Sequence, residues 1–177
     1  MSDARHYRAE DGLRDGRMVV IRAITPDDKQ ALLAAYHELD PASVYMRFFA
    51  AHREPTAKEL RDWTEVDFVS IVRLVACLVE SGSERIIGGA SMARLATGDA
   101  AAAAAEISFT IEEDFQGQGL AGKLLQHLAT LARAQGIRRF VAETLLANQA
   151  MLAVFRRSGL PMQRRTVDGV VHVSLDL

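Results

Sequence analysis

Sulfur bridges cannot hold this chain together, because its 177 residues include a single cysteine, Cys77. Cys77 lies inside an apolar run and reads as a core residue rather than a nucleophile. A chain without disulfides fits a reducing compartment. The residues up to Arg17 are polar and mixed in charge, with no apolar stretch of the kind a secretory leader needs. No apolar run approaches the ~20 residues of a membrane span. The longest small-residue run, Ala100 to Ala105, follows Gly98-Asp99 and reads as a loop leading into a strand. There is no large excess of either charge: 21 basic and 23 acidic residues leave a net charge of −2. That argues against a dedicated nucleic-acid binder. The local group Arg156, Arg157, Arg164 and Arg165 reads as a solvated face. The histidines His6, His37, His52, His127 and His172 have no metal-ligand spacing with one another or with Cys77, so no metal is expected. A cytoplasmic protein without nucleic-acid or membrane partners is the resulting expectation.

What is present suits one domain. The apolar fraction is 49 % and the charged fraction 25 %, and a chain of this length can bury a core unaided. No internal repeat or interdomain linker interrupts it. Residues 1–16 hold two Asp-Gly pairs and read as a tail or a loose first hairpin. Met18 to Ile24 is a strand candidate. Thr25, Pro26 and Asp28 then have the spacing of a helix cap, and Leu32, Leu33, Tyr36 and Leu39 form the apolar stripe behind it. Short helices follow from Pro41 and Pro55. Val69 to Val79, Arg85 to Leu95 and Glu106 to Ile111 are three strands with no helix between them, which predicts an antiparallel meander. In the third, Ile107, Phe109 and Ile111 face one way and Glu106, Ser108 and Thr110 the other. Gly119 to Arg133 carries a helical stripe of Leu120, Leu124, Leu128 and Leu131, supported by Leu125 and Ala132. A strand over Phe140 to Leu145, a helix over Gln149 to Arg157 and a hairpin turning at Asp168-Gly169 complete the chain.

The chemistry concentrates in Gln116-Gly117-Gln118-Gly119-Leu120-Ala121-Gly122-Lys123, between a strand and the longest helix. Glycines there let the backbone turn tightly and leave amides uncovered, and a helix start adds free N–H groups and a positive end. Such a turn suits a phosphate or pyrophosphate. It also suits a plain strand-to-helix connection. Gly117, Gly119 and Gly122 match the dinucleotide fingerprint, with Glu143 about 20 residues on, but antiparallel strands precede the turn. Gly117, Gly122 and Lys123 nearly match a P-loop, but Leu124 offers Mg²⁺ no hydroxyl.

Gln116 to Ala121 also matches the pattern [QR]-x-x-G-x-[GA], and in this element order the chain resembles the GNAT superfamily of N-acetyltransferases over roughly residues 18–177. Leu13-Arg14-Asp15-Gly16, Ile21-Arg22, Tyr45-Met46-Arg47-Phe48-Phe49, Val66-Asp67-Phe68, Met151-Leu152 and Arg156-Arg157 resemble one branch, the bacterial Pat-type protein lysine acetyltransferases. Regulation by the cyclic-nucleotide-binding or synthetase-like portions that some members carry is not expected within this chain. The resemblance implies one N-acetyltransferase domain over 17–177, of α/β (α+β) class. Its mixed, mostly antiparallel central sheet would carry helices on both faces. It implies acetyl-CoA as cosubstrate, held by Phe109, Ile111, Gln116, Gly117, Gln118, Gly119, Leu120, Ala121, Asn148 and Phe155, and no metal.

Acetyl transfer to an amine needs a base for the incoming ammonium. Glu106 is the candidate, on the polar face of the strand entering the turn and far from its phosphate end. Glu112, Glu113 and Asp114 read as a charged strand end. Many members of the superfamily have a tyrosine in the last long helix as general acid. Here the matching residue is Phe155, which leaves water, or Ser158 nearby, to protonate the thiolate. The aromatic group Tyr45, Phe48 and Phe49 reads as core packing that can also wall the acceptor channel, with Arg47 at its edge. The implied acceptor is a protein lysine, for instance on an acyl-CoA synthetase, and the enzyme would act as a monomer or homodimer. A small amine or amino acid as acceptor, or a non-catalytic acyl-CoA sensor, remain the alternatives.

Overall fold

The computed structural model describes residues 3–48, 53–96 and 103–177, with the backbone alone over 45–48. Thirteen helices and strands follow in order: β1 (Arg8–Gly12), β2 (Met18–Ala23), α1 (Lys29–His37), α2 (Pro41–Phe48), α3 (Ala57–Thr64), β3 (Ile71–Glu80), β4 (Ser83–Arg94), β5 (Ala104–Ile111), α4 (Leu120–Ala134), β6 (Arg139–Leu145), α5 (Gln149–Arg157), β7 (Met162–Val167) and β8 (Val170–Asp176). The strands form one sheet in the order β1-β2-β3-β4-β5-β6-β8-β7. Every neighbouring pair is antiparallel except β5 and β6. The mixed, mostly antiparallel sheet flanked by helices is the α/β class that the resemblance implies.

Local chemistry sets the turns. Ser81 and Gly82 both have positive φ (52° and 81°), and Glu80 pairs with Ser83 across them. Asp168 and Gly169 do the same between Val167 and Val170. Two central residues in the left-handed region match the right-handed twist of the strands they join. β3 starts at Ile71, two residues later than its apolar pattern begins, because Asp67 intervenes. Its Oδ1 accepts the amides of Val69, Ser70 and Ile71 at 2.9, 2.8 and 3.0 Å, and these bonds hold the carboxyl down at about 2. Segment 1–16 carries β1, paired with β2 along all five of its residues.

One sheet face is packed by α4 and α5. The α4 stripe of Leu120, Leu124, Leu125, Leu128, Leu131 and Ala132 is buried, as are Ala105 and Ile107 of β5 and Leu152 and Phe155 of α5. Each fully buried leucine contributes about 1.5–3 kcal/mol. The opposite face is covered over part of its width by α1 and α3, where Tyr36, Leu39 and Val44 make a small second cluster against Trp63. Over β6, β8 and β7 that face is left as an open trough bearing Val141, Glu143, Arg165, His172 and Ser174.

Ionic contacts tie β1, β2, β4 and the first helical turn together. Thr25 and Asp28 form the anticipated capping box, though the turn Pro26–Asp28 is 3-10 before α1 begins. Arg22 Nη1 and Nη2 each donate to Asp28 at 2.8 Å, and Arg22 Nε donates to Glu84 at 2.8 Å. Arg8 reaches the same Glu84 at 2.7 Å. Burial works to raise the Asp28 carboxyl, but the Arg22 hydrogen bonds and the Thr25 amide outweigh it and hold it below its usual value. Nearby, burial pushes the Cys77 thiol up to about 12, so it stays protonated and inert. Asp28→Ala should cost about 3 kcal/mol, because it strands the Arg22 guanidinium with half its partners. Urea unfolding followed by circular dichroism reads this directly, and a loss below about 1 kcal/mol would show that water replaces the carboxylate. Because the Asp28 pKa is lowered on folding, its contribution is complete above the unfolded value of about 4 and fades only as pH falls below that. The wild-type and D28A stability curves should therefore run parallel from pH 7 to about 5 and converge in stronger acid.

Candidate active site

The site follows from where two strands part. β5 pairs with β6 only through Ala104↔Arg139, Ala105↔Phe140 and Glu106↔Val141. Beyond Glu106, β5 continues to Ile111 against β4 alone, and β6 continues to Leu145 against β8 alone. The two parallel strands thus diverge into a V. Glu106 is at its apex, and the glycine-rich turn after β5 is at its mouth. Five residues of strand separate Glu106 from Ile111, a run of about 17 Å at ~3.4 Å per residue.

The turn is anchored just before its glycines. Phe115 is buried at the end of a 3-10 turn (Glu113–Phe115), with the guanidinium of Arg17 4.5 Å and that of Arg85 5.2 Å from its ring centre. Gln116 Nε2 donates to the Ile111 carbonyl at 3.1 Å, across the end of the strand. Gly117 and Gly119 then take φ of 75° and 86°, which side-chain-bearing residues rarely adopt. Leu120 and Ala121 open α4, with Leu120 buried beneath. Gly119 is the N-cap residue of α4 and has no side chain to cap it, whereas Thr56 caps α3 and Asn148 caps α5. Gln116 (φ −68°, ψ 151°) and Gly117 (φ 75°) form a type II turn that directs the Gln118 amide back toward the Phe115 carbonyl, whereas the amides of Gly117 and Gly119 donate to no described residue. The first α4 amide bonded back to the turn is that of Lys123, to the Gly119 carbonyl at 3.2 Å. Several N–H groups and the positive helix end therefore converge on one spot, which suits a phosphate.

The two competing motifs fail on geometry. A dinucleotide fingerprint needs its third glycine for close helix–strand packing, yet a Cβ on Gly122 would meet nothing within 4 Å. Glu143 pairs with His172 Nδ1 at 3.0 Å in the trough, across the sheet from α4. The P-loop lysine would have to reach phosphate, but Lys123 Nζ is 2.6 Å from Asp11 Oδ1. Asp11 also approaches His127 Nε2 at 3.4 Å, and His127 Nδ1 hydrogen-bonds the Tyr7 hydroxyl.

The remaining sequence candidates are distributed around the V. Phe109 and Phe155 meet edge to face, with ring centres 6.2 Å apart, on the α5 side of β5. Ile111 is half-buried at the strand end. Asn148 accepts the Met151 amide at 3.1 Å through Oδ1. Ser158 Oγ donates to the Phe155 carbonyl at 2.7 Å, so its hydroxyl caps α5 and its proton is already engaged. Phe49 lies outside the described residues, as do the side chains of Tyr45, Arg47 and Phe48, and with them the expected wall of the acceptor channel. Glu106 is exposed and has no ion-pair partner among the described residues. Glu112 is buried and bonded to Arg85 Nη1 at 2.8 Å, and burial pushes its carboxyl up despite that partner.

Sequence reasoning missed two groups. A cavity beneath α1 and α3 is lined by Tyr36, Trp63, Arg73, Ser91, Ser108 and Glu112, with Ser91 Oγ 2.8 Å from Ser108 Oγ. Glu106 stands between this cavity and the trough. The turn joining β1 and β2 reaches the glycine loop through Arg14. Alternation in β5 places Ser108 on the face of Glu106 without revealing the cavity, and no sequence signal joins Arg14 to residue 117. Among the described residues, no three His, Cys, Asp or Glu side chains cluster as metal ligands, and no helix is long and apolar enough to cross a membrane.

Known proteins share this fold. The GNAT domain of S. lividans PAT superposes with a TM-score of 0.85 at 38 % identity, covering 96 % of this chain and 97 % of that one. The acetyltransferase Pat of Mycolicibacterium smegmatis is 30 % identical over 93 % of this chain, which spans only 47 % of that protein's length. An acetyltransferase of Pseudomonas aeruginosa is 29 % identical over 92 % of this chain and 86 % of its own length. A putative acetyltransferase from Salmonella typhimurium, described with its cofactor acetyl-CoA, shares the fold at a TM-score of 0.69 and 22 % identity, covering 90 % of this chain and 94 % of that one. The acetyltransferase (GNAT) domain profile matches residues 18–161, most of the chain, and the protein belongs to that family of acetyltransferases.

Proposed function

We propose that this protein transfers the acetyl group of acetyl-CoA to a lysine amine on another protein, with Glu106 as general base. The observation that carries the reading is the V between β5 and β6, with uncovered amides at its mouth and an unpaired carboxylate at its apex. A pantetheine arm is of a length to run between them. The pyrophosphate is assigned to the amides of Gln116 to Ala121, and the arm to the β6-facing edge of β5, past Phe109 and Ile111. Phe155 backs this wall through Phe109, and Asn148 fixes the start of α5 beside it. The fold-sharing Salmonella protein is described with acetyl-CoA.

The chemistry balances without further groups. Glu106, directly or through a water, takes a proton from the acceptor ammonium. The amine nitrogen attacks the thioester carbon, the C–S bond breaks, and CoA leaves as a thiolate that takes up, through water, the second proton shed by the acetylated nitrogen, while Glu106 returns its proton to solvent. A strand amide of β5 offers the oxyanion a donor. Glu112 is the weaker base candidate, since Arg85 occupies its carboxylate. Lysine as acceptor is supported by the Pat-type relatives and by the open trough beside Glu106, which leaves room for a peptide segment. The cavity beneath α1 and α3 favours a second reading, a small amine bound under the helices.

Gly119→Asp should weaken acetyl-CoA binding at least tenfold in calorimetry, with the far-ultraviolet circular dichroism of the folded protein retained. Aspartate tolerates positive φ better than most residues; its Cβ would lie 3.6 Å from Arg14 Nε, so its carboxylate would draw Arg14 off the Gly117 carbonyl and add negative charge beside the phosphates. Unchanged affinity would remove the pyrophosphate from this loop. Glu106→Gln should lower kcat by about 10²-fold or more while altering the acetyl-CoA dissociation constant little, and the pH–rate profile should lose its basic-group limb. Native turnover across that range would eliminate Glu106 as base. For the acceptor, the enzyme is incubated with acetyl-CoA and acyl-CoA synthetases from its own cell, and modified lysines are mapped by mass spectrometry beside a panel of small amines. Catalysed lysine acetylation is the expected result. Efficient turnover of one small amine, with protein acetylation no higher than the no-enzyme background, would establish the second reading instead.

A further inference from the structure

We infer that Arg14 is a positioning residue for the cosubstrate: the β1–β2 turn that carries it aims the amides of the glycine loop at the phosphates. The inference rests on the reading of that loop as the pyrophosphate site.

The turn is itself well fixed. Leu13 is buried, its amide donates to the Arg17 carbonyl at 2.8 Å, and the Gly16 amide donates back to Leu13 at 3.0 Å. Asp15 accepts both the amide and Nε of Arg17, at 3.0 and 2.7 Å. The far end of Arg17 lies over Phe115, immediately before the glycine loop. From this platform Arg14 makes two contacts with the loop. Its backbone amide donates to the Gln118 carbonyl at 3.2 Å, and its Nη1 donates to the Gly117 carbonyl at 3.0 Å.

Those two acceptors are consecutive carbonyls, and that decides the direction of the next two amides. In a trans peptide the C=O and N–H of one unit point opposite ways, and the described residues contain no cis peptide. With the Gly117 carbonyl turned toward Arg14, the Gln118 N–H points away from it. With the Gln118 carbonyl turned toward Arg14, the Gly119 N–H points away as well. Of the two, the Gly119 amide has no acceptor among the described residues, while the Gln118 amide faces back over the turn toward the Phe115 carbonyl. Gly117 and Gly119 alone would let either peptide flip, since glycine crosses φ space with little penalty. Holding both carbonyls from behind removes that freedom before the ligand arrives, which lowers the entropy lost on binding. The side chain is exposed and makes no ion pair among the described residues, so a surface salt bridge does not account for its position.

The test compares wild type and Arg14→Ala, using acetyl-CoA and S-acetylpantetheine, which lacks the nucleotide and its phosphates. R14A should raise KM for acetyl-CoA about tenfold, equivalent to about 1.4 kcal/mol, with kcat within about twofold. KM for S-acetylpantetheine should not change. In the ligand-free protein, NMR order parameters of the Gln118 and Gly119 amides should fall in R14A. An unchanged KM for acetyl-CoA would overturn the inference, as would equal losses with both thioesters, which would signal general damage. A raised KM with undisturbed ligand-free amides would make Arg14 a direct phosphate contact and also overturn it. If wild type itself fails to bind acetyl-CoA in calorimetry, the underlying reading of the loop falls instead.

Discussion

The short parallel ladder between β5 and β6 is the constraint from which the site follows. Parallel neighbours cannot be joined by a tight turn, so the chain must cross over, and here it crosses through α4. The crossover helix necessarily starts where β5 ends. Its uncovered amides therefore arrive at the mouth of the cleft by topology. The cleft in turn exists because each strand has a better partner on its other side. β5 pairs with β4 over seven residues and β6 with β8 over seven, against three for the ladder between them. Leaving β5 and β6 apart beyond Glu106 sacrifices few bonds and yields a slot open to a ligand.

Charge around the phosphate end is handled with economy. The nearest cations are already engaged: Lys123 with Asp11, Arg17 with Asp15 and Phe115, Arg85 with Glu112, and the Arg14 guanidinium with the Gly117 carbonyl. What remains for an anion is a set of backbone dipoles. Dipoles fixed in direction need no reorganisation when an anion binds, and they hold no strong anion when it is absent. The side-chain cations act behind the cradle, keeping its shape.

Much of this could be read from the residues in order. The leucine stripe of α4, the alternation of β5, the Asp168-Gly169 hairpin and the glycine loop are local patterns with local causes. Other features were illegible for a physical reason. The point where β5 and β6 part is decided by competition among four strands, which no window of sequence contains. The insertion of β8 between β6 and β7 is of the same kind. Arg14 was visible within Leu13 to Gly16, but its partners at Gly117 and Gln118 are more than one hundred positions away. Val66-Asp67-Phe68 proves to be a structural knot. Asp67 collects three amides, its carbonyl accepts from Arg5, and the Phe68 carbonyl accepts from Gln135 beyond α4. Glu143, singled out only as the acid of a dinucleotide motif, instead lines the trough.

The three-rung ladder also divides the sheet into two cooperative blocks. The meander β1 to β5 closes its pairings between successive strands, and the second block is the hairpin β7–β8 with β6 against β8. Their seam joins residues 104–106 to 139–141 and can zip only after the intervening helix has folded back. It is accordingly among the last contacts made in folding. In the native state, amide exchange among the central strands should be fastest at the seam, since few bonds need to open there. A molecule lying in the V touches both blocks and adds the rungs that the chain leaves out. Occupancy of the cleft would therefore couple the two halves mechanically, so that the loaded protein would unfold as a single unit.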